Sequence, residues 1–271
     1  GERVNAATVL AVLRGDREAV DGGPVVPAEA SGLLVLVHSH GNAHCRLPGA
    51  PELGHEHYVH LPYPAPAEAD ERLYGGVAWA GDEEALTPEP YGPHKYRWRL
   101  YSTQLFQALL DGVTRCPRRR VVILNQSCLS GGHARFLWHQ PLAKFFGTHA
   151  WPVLHISTAG EHEPSLADYW DLFLAELRRA VELPALRLTL GQVHATAEER
   201  YYQSNAGLRE HNRKAAGSAA RPHETLTFGT VGLHEGTAPD GGPMSDVPIW
   251  DLLLAEEEVE EVQAEEDAQR E

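Results

Sequence analysis

VVILNQSCLSGG (121–132) decides the fold, because a continuous apolar run of this length, closed by a Ser-Gly-Gly turn, reads as a strand buried on both faces of a parallel sheet. A second run, LLVLVHSHG (33–41), has the same character and stops at His40-Gly41. Functional groups collect at the carboxyl ends of such strands. One strand end therefore offers a base, His40, and the other a thiol, Cys128.

A thiol with an ordinary pKa near 8.5 is only a few per cent thiolate at neutral pH, so a neighbouring imidazole that takes its proton is the usual activation. Gly41 and Cys128 stand where their backbone N–H groups can point at a developing oxyanion without side-chain obstruction. One such donor stabilises a transition state by about 3 kcal/mol. The plain alternative is structural: a cysteine is often a small core hydrophobe, and a histidine at a strand end is often a satisfied polar group.

His-Gly after one strand and Gln-Ser-Cys after the next resembles the caspase-like fold, and VNAATVLAVLRGDREAVDGG (4–23), with VLAVLRGDREAV (9–20) at its centre, is similar to the segment before the catalytic histidine strand of the legumains, the asparaginyl endopeptidases. PVLHISTAGEHEPS (152–165) extends the likeness over roughly 165 residues. The resemblance implies an α/β fold with a mostly parallel sheet between helices, an α/β/α sandwich. It also implies a cysteine endopeptidase that cleaves after Asn- or Asp-like residues, with a transpeptidase side activity, and needs neither metal nor organic cofactor.

Position by position, the resemblance makes His40 the general base, Gly41 the oxyanion-hole glycine and Cys128 the nucleophile. Ser165 and Asp168 then line the pocket for the residue before the scissile bond. Gln126 stands where the family carries a pocket glutamate, and Ser39 where it carries an aspartate. A carboxylate only accepts, whereas a neutral Gln both donates and accepts, so this pocket differs in what it can recognise. The family places two further strands ahead of the histidine strand, one leading to an asparagine that orients the catalytic histidine. Only 32 residues precede Leu33. A sheet incomplete at its N-terminal side, completed by an additional segment or a partner, is the expectation; the alternative function is a catalytically inactive legumain-like interaction module. The family resemblance also suggests a lysosomal, vacuolar or secreted setting, although no basic-then-apolar leader begins this chain.

The expected organisation is a legumain-like core over 1–183 interrupted by a long Pro-, Gly- and His-rich insertion at 42–97, a C-terminal extension over 184–250 whose packing the sequence leaves open, and an acidic tail over 251–271. That tail carries ten acids against Arg270 alone, so −9 of the net charge of −15 lies there. It reads as a solvated extension, or as a contact surface for a basic partner. The overall charge argues against nucleic acid, whose phosphates need clustered Lys and Arg, and no apolar run is long enough for a membrane span. A peptide or protein substrate remains the expected partner.

Three other features invite specific readings. His55, His57 and His60 with Glu56 form a weak zinc pattern, without a second cluster at metal-site spacing. Arg14-Gly15-Asp16 is an adhesion triplet that falls inside the legumain-like stretch. The sequon Asn125-Gln126-Ser127 sits in the candidate active strand end and reads as accidental. Cys45, Cys116 and Cys128 are an odd number, leaving at least one free thiol.

Apolar periodicity predicts helices over 6–13 with Asn5 as cap and Gly15 as stop, from Ser102 through Val113, over 133–146, over 167–181, over 197–214 and from Ile249, with strands at 152–157 and 225–233.

Overall fold

In a computed structural model of the chain, residues 6–16, 32–45, 55–60, 99–137, 150–217 and 227–253 are described. The run at 121–126 is the central feature. β5 (Arg120–Gln126) is flanked on one side by β1 (Gly32–His38) and on the other by β6 (Val153–Ser157), both parallel to it, and β7 (Gly232–Glu235) closes the order β1-β5-β6-β7 by an antiparallel pairing with β6. Helices cover both faces, so the molecule is a mostly parallel α/β sheet between helical layers.

β5 and β1 have nearly the same composition but different surroundings. Val121 through Ser127 are all buried, as a two-neighbour strand requires. β1, expected to be buried on both faces, is half-exposed along most of its length, with Leu36 at 43%. Among the described residues it has one strand neighbour, β5. Apolar composition thus identified the strand type and not its place in the sheet.

On one face, Val122, Leu124, Leu154 and Ile156 pack against α4 (Asp168–Glu182), α5 (Leu190–Ser204) and α7 (Ile249–Leu253). In α4, Tyr169, Phe173, Glu176 and Ala180 recur at helical spacing and are buried, the stripe that a sheet-facing helix needs. Buried Glu176 accepts from Arg179 (3.0 Å) and pairs with Arg200, tying α4 to α5. α5 begins at Leu190, earlier than periodicity alone predicts, because Thr189 Oγ1 accepts from the Gln192 amide while Gln192 Oε1 accepts from the Thr189 amide. The predicted single helix over 197–214 is two: α5 ends at Ser204, Gly207 turns at φ +90°, and α6 (Leu208–Gly217) follows. The segment 184–250 adds Leu190, Val193, Ala197, Tyr201 and Met244 to this core.

On the other face, Val121, Ile123 and Val153 meet α1 (Ala6–Arg14) and α2 (Ser102–Arg115). Leu105, Ala108, Leu109 and Gly112 form the buried stripe of α2. The long insertion supplies part of a small antiparallel sheet, β2 (Gly41–Cys45), β3 (His55–His60) and β4 (Arg99–Tyr101), in the order β2-β3-β4. α3 (Ser130–Leu137) starts three residues before the predicted His133, directly behind the cysteine turn. The last strand covers 232–235 rather than 225–233.

The Arg14-Gly15-Asp16 triplet is closed on itself: the Arg14 guanidinium donates twice to Asp16, at 3.0 and 2.8 Å, and Arg115 donates to the same carboxylate. That occupies both charges an adhesion partner would need. Asn5 as helix cap, His133–Phe146 beyond residue 137, and the acidic tail beyond residue 253 lie outside the described residues. No helix among the described residues is long and apolar enough to cross a membrane.

Candidate active site

Parallel register carries the two strand ends to the same edge. His38 lies opposite Gln126, and the Ser39 amide continues the ladder by donating to Gln126 O (3.3 Å). His40 and Cys128 follow one step later on their respective chains. His40 is exposed; Cys128 is half-buried and free. Gly41 makes the tightest approach, since a Cβ placed on it would lie 2.0 Å from Cys128 O and 2.9 Å from Ser127 Oγ. Only glycine lets the backbone after His40 lie against the backbone of the cysteine.

The cysteine turn is held from several directions. Leu129 adopts φ +59°, a left-handed conformation that costs a leucine about 1–3 kcal/mol and persists only where the surroundings enforce it. Its amide donates to Glu163 O (2.8 Å). Fully buried Ser130 Oγ accepts from the amides of Thr158 and Ala159, each at 3.1 Å, which pins the start of α3 to the loop after β6. Ser127 Oγ donates to Asn125 Oδ1 (2.7 Å). Asn125 is buried in β5, so the sequon is no glycan acceptor in the folded chain.

Gln126 and Ser165 are brought together. Gln126 Nε2 donates to Leu166 O (2.7 Å) and Ser165 Oγ (3.4 Å), and Ser165 Oγ also shares a 2.6 Å hydrogen bond with Thr158 Oγ1. With its donor arm engaged, Gln126 leaves Oε1 buried with no hydrogen-bond partner. Asp168, by contrast, is exposed at the first turn of α4 and accepts from Asn205 Nδ2 (3.3 Å). The exposed His38 ring lies 5.1 Å from Trp170, closing the α4 side of the strand end.

Glu163 organises this region and has no motif that marks it. Its Oε2 accepts from the amides of Gly160 and Thr230, both at 3.0 Å. Burial pushes its carboxyl up, but hydrogen bonds from Thr227, Thr230 and Gly160 prevail and hold it below the usual range.

Beneath the turn lies a group of histidines that the strand-end pattern does not announce. Buried His57 of β3 contacts Glu161 O through Nε2 (3.2 Å), and its ring fills the space in front of Gly132, where an added Cβ would come within 2.2 Å. Ser102 Oγ donates to His57 O (2.9 Å) and lies 3.1 Å from Nδ1 of buried His133. Ser102, where the predicted helix begins, serves this network, and the Tyr101 amide donates to Gln104 Oε1. His155 of β6 is fully buried, and burial above all holds its imidazole well below the ordinary value. Among the described residues no group of three His, Cys, Asp or Glu side chains can hold a metal, and the His55 and His60 side chains lie outside the described ones.

Comparison of the chain with protein-family models, curated proteins and solved structures returned no match.

Proposed function

We propose that the chain is a legumain-like cysteine endopeptidase of caspase-like fold. The observation that carries this reading is the contact of Gly41 with the backbone of Cys128 at the carboxyl ends of two adjacent parallel strands, which sets His40 and Cys128 at one edge of the sheet. Cys128 Sγ attacks the peptide carbonyl carbon as its proton passes to His40, and the amides of Gly41 and Cys128 receive the oxyanion. Collapse of the tetrahedral intermediate breaks the C–N bond, and His40 returns the proton to the leaving amine. Water then resolves the thioester, or a peptide amine does so in transpeptidation. Gln126 and Ser165 form the floor of the pocket for the residue before the scissile bond, with Asp168 further out on α4.

The internal bonding of Gln126 gives the second reading its support. A pocket amide whose donor already bonds Leu166 O suits a chain that keeps the fold as an interaction module and has lost turnover. Hydrolysis of an internally quenched peptide library by wild type, Cys128→Ala and His40→Ala decides between them. The enzyme reading expects cleavage that both substitutions reduce by at least 10²-fold; equal hydrolysis by all three, or none by wild type between pH 4 and 8, supports the interaction module.

A further inference from the structure

The loop Glu163–Leu166, which carries the pocket residue Ser165, is bonded on two sides. Toward the candidate site, Glu163 O accepts from the Leu129 amide of the cysteine turn (2.8 Å), Leu166 O accepts from Gln126 Nε2 (2.7 Å), and Ser165 Oγ shares a hydrogen bond with Thr158 Oγ1 (2.6 Å). Away from the site, the same loop is met by residues 227–231, which form a strap across its back. The Gly229 amide donates to Pro164 O (2.9 Å), and the Thr230 amide donates to Glu163 Oε2 (3.0 Å). Proline has no amide to give, so its carbonyl is the only backbone group by which position 164 can be held.

The strap is itself fixed by two helices. Fully buried Tyr201 of α5 donates its hydroxyl to Gly229 O (2.9 Å), and burial above all lifts that hydroxyl beyond its ordinary range, so it remains a donor. Gly229 adopts φ +52°, and a Cβ added there would collide with the Tyr201 hydroxyl and lie 3.0 Å from Leu166 Cγ. Only glycine fits between the helix and the pocket loop. Asn212 of α6 holds the preceding residue with both ends of its amide: Nδ2 donates to Phe228 O (2.7 Å), and Oδ1 accepts from the Phe228 amide (3.0 Å). We infer that Tyr201 and Asn212 are positioning residues for the pocket, acting through Phe228 and Gly229 to set the 163–166 loop against Gln126 and the Leu129 amide. The functional meaning rests on the pocket assigned above; the link from α5 to the cysteine turn does not. A small displacement of groups that orient a substrate is costly, and one that affects ground and transition states alike raises KM and spares kcat.

Tyr201→Phe tests this in the full chain, because it removes one oxygen and keeps the ring. Thr189→Ala, which loses the cap at the other end of α5, controls for weakened helix stability. Residue-resolved amide exchange is expected to show protection at Gly229 and Leu129 falling about 10-fold in Tyr201→Phe, with Ile123 of β5 unchanged and Thr189→Ala like wild type at all three. In peptide hydrolysis, Tyr201→Phe is expected to raise KM about 10-fold and to change kcat less than about twofold. Gly229→Ala is expected to raise KM further, and adding Tyr201→Phe to it to recover part of the loss, because the removed oxygen is the atom the new methyl meets. Protection at Leu129 that stays unchanged while Gly229 loses its own, an equal fall in Thr189→Ala, or an unchanged KM in Tyr201→Phe overturns the positioning role. The expected exchange pattern in a chain without Cys128-dependent hydrolysis upholds the link and refutes the peptidase reading alone.

Discussion

On the α4 and α5 face of the main sheet three buried ionisable side chains have partners: the Tyr169 hydroxyl meets His194 Nδ1 at 2.7 Å, His194 Nε2 lies 3.8 Å from Glu198, and Glu176 meets two arginines. On the α2 and α3 face, buried His133 and His155 keep nitrogens without a partner, and the groups around them are further imidazoles. The first arrangement ties two helices to each other over the sheet through paired groups. The second leaves buried imidazole nitrogens without a hydrogen bond. The candidate chemistry thus stands between a face whose buried ionisable groups are paired and one whose buried imidazoles keep bare nitrogens.

The largest expected effect probes the paired face. Phe173 is fully buried between α4 and the sheet, and Phe173→Ala is expected to cost about 3–5 kcal/mol of global stability, read as a lowered denaturant midpoint. Acid probes the buried histidines of both faces. A buried histidine with a depressed folded pKa binds fewer protons than the unfolded chain, so its contribution is whole above pH 6.5 and declines as pH falls. For His133 the decline continues to about pH 3, and for His194 to about pH 4. Each such histidine lowers stability by about 1.4 kcal/mol per pH unit within its window. Denaturant titrations at successive pH values should therefore show falling stability from pH 6.5 downward, and less steeply in His155→Leu; an unchanged slope in that variant would contradict the assignment of acid sensitivity to the α2 and α3 face.

Gln126→Glu sharpens the comparison at the pocket. The substitution removes the Nε2 donor and sets a second acceptor against Leu166 O, now 2.7 Å from Nε2. A loss of about 1–3 kcal/mol at neutral pH is expected, with partial recovery in acid as the carboxyl protonates and donates again. The smallest effect is at the α5 cap, where Thr189→Ala should lower stability by about 1 kcal/mol without moving the pH slope.

The sequence was most legible where local pattern and tertiary place agree. β5 is apolar because it has neighbours on both sides, and its turn follows because Ser130 and two glycines permit one. β1 carries the same pattern at a half-exposed position, so composition alone overstated its burial. The early start of α5 was written in Thr189 and Gln192, a capping box that apolar periodicity overlooks. Gln126 and Ser165, 39 positions apart, were paired by the family resemblance, and the structure brings them to hydrogen-bonding distance. The histidine layer had no such signal. His57, Ser102, His133 and His155 belong to four separate elements, and the only hint, alternate histidines on β3, suggested a metal. Glu163 was hidden likewise, because its Thr230 partner arrives from a loop 67 positions away.

The most direct test of the central claim is covalent labelling with a peptidyl-Asn electrophile, followed by peptide mapping of the adduct. Free, half-buried Cys116 serves as an internal control of similar exposure. The account predicts an adduct on Cys128, absent in Cys128→Ala and slowed at least 10²-fold in His40→Ala. Equal labelling of Cys116 and Cys128, or a Cys128 rate indifferent to His40, would contradict it.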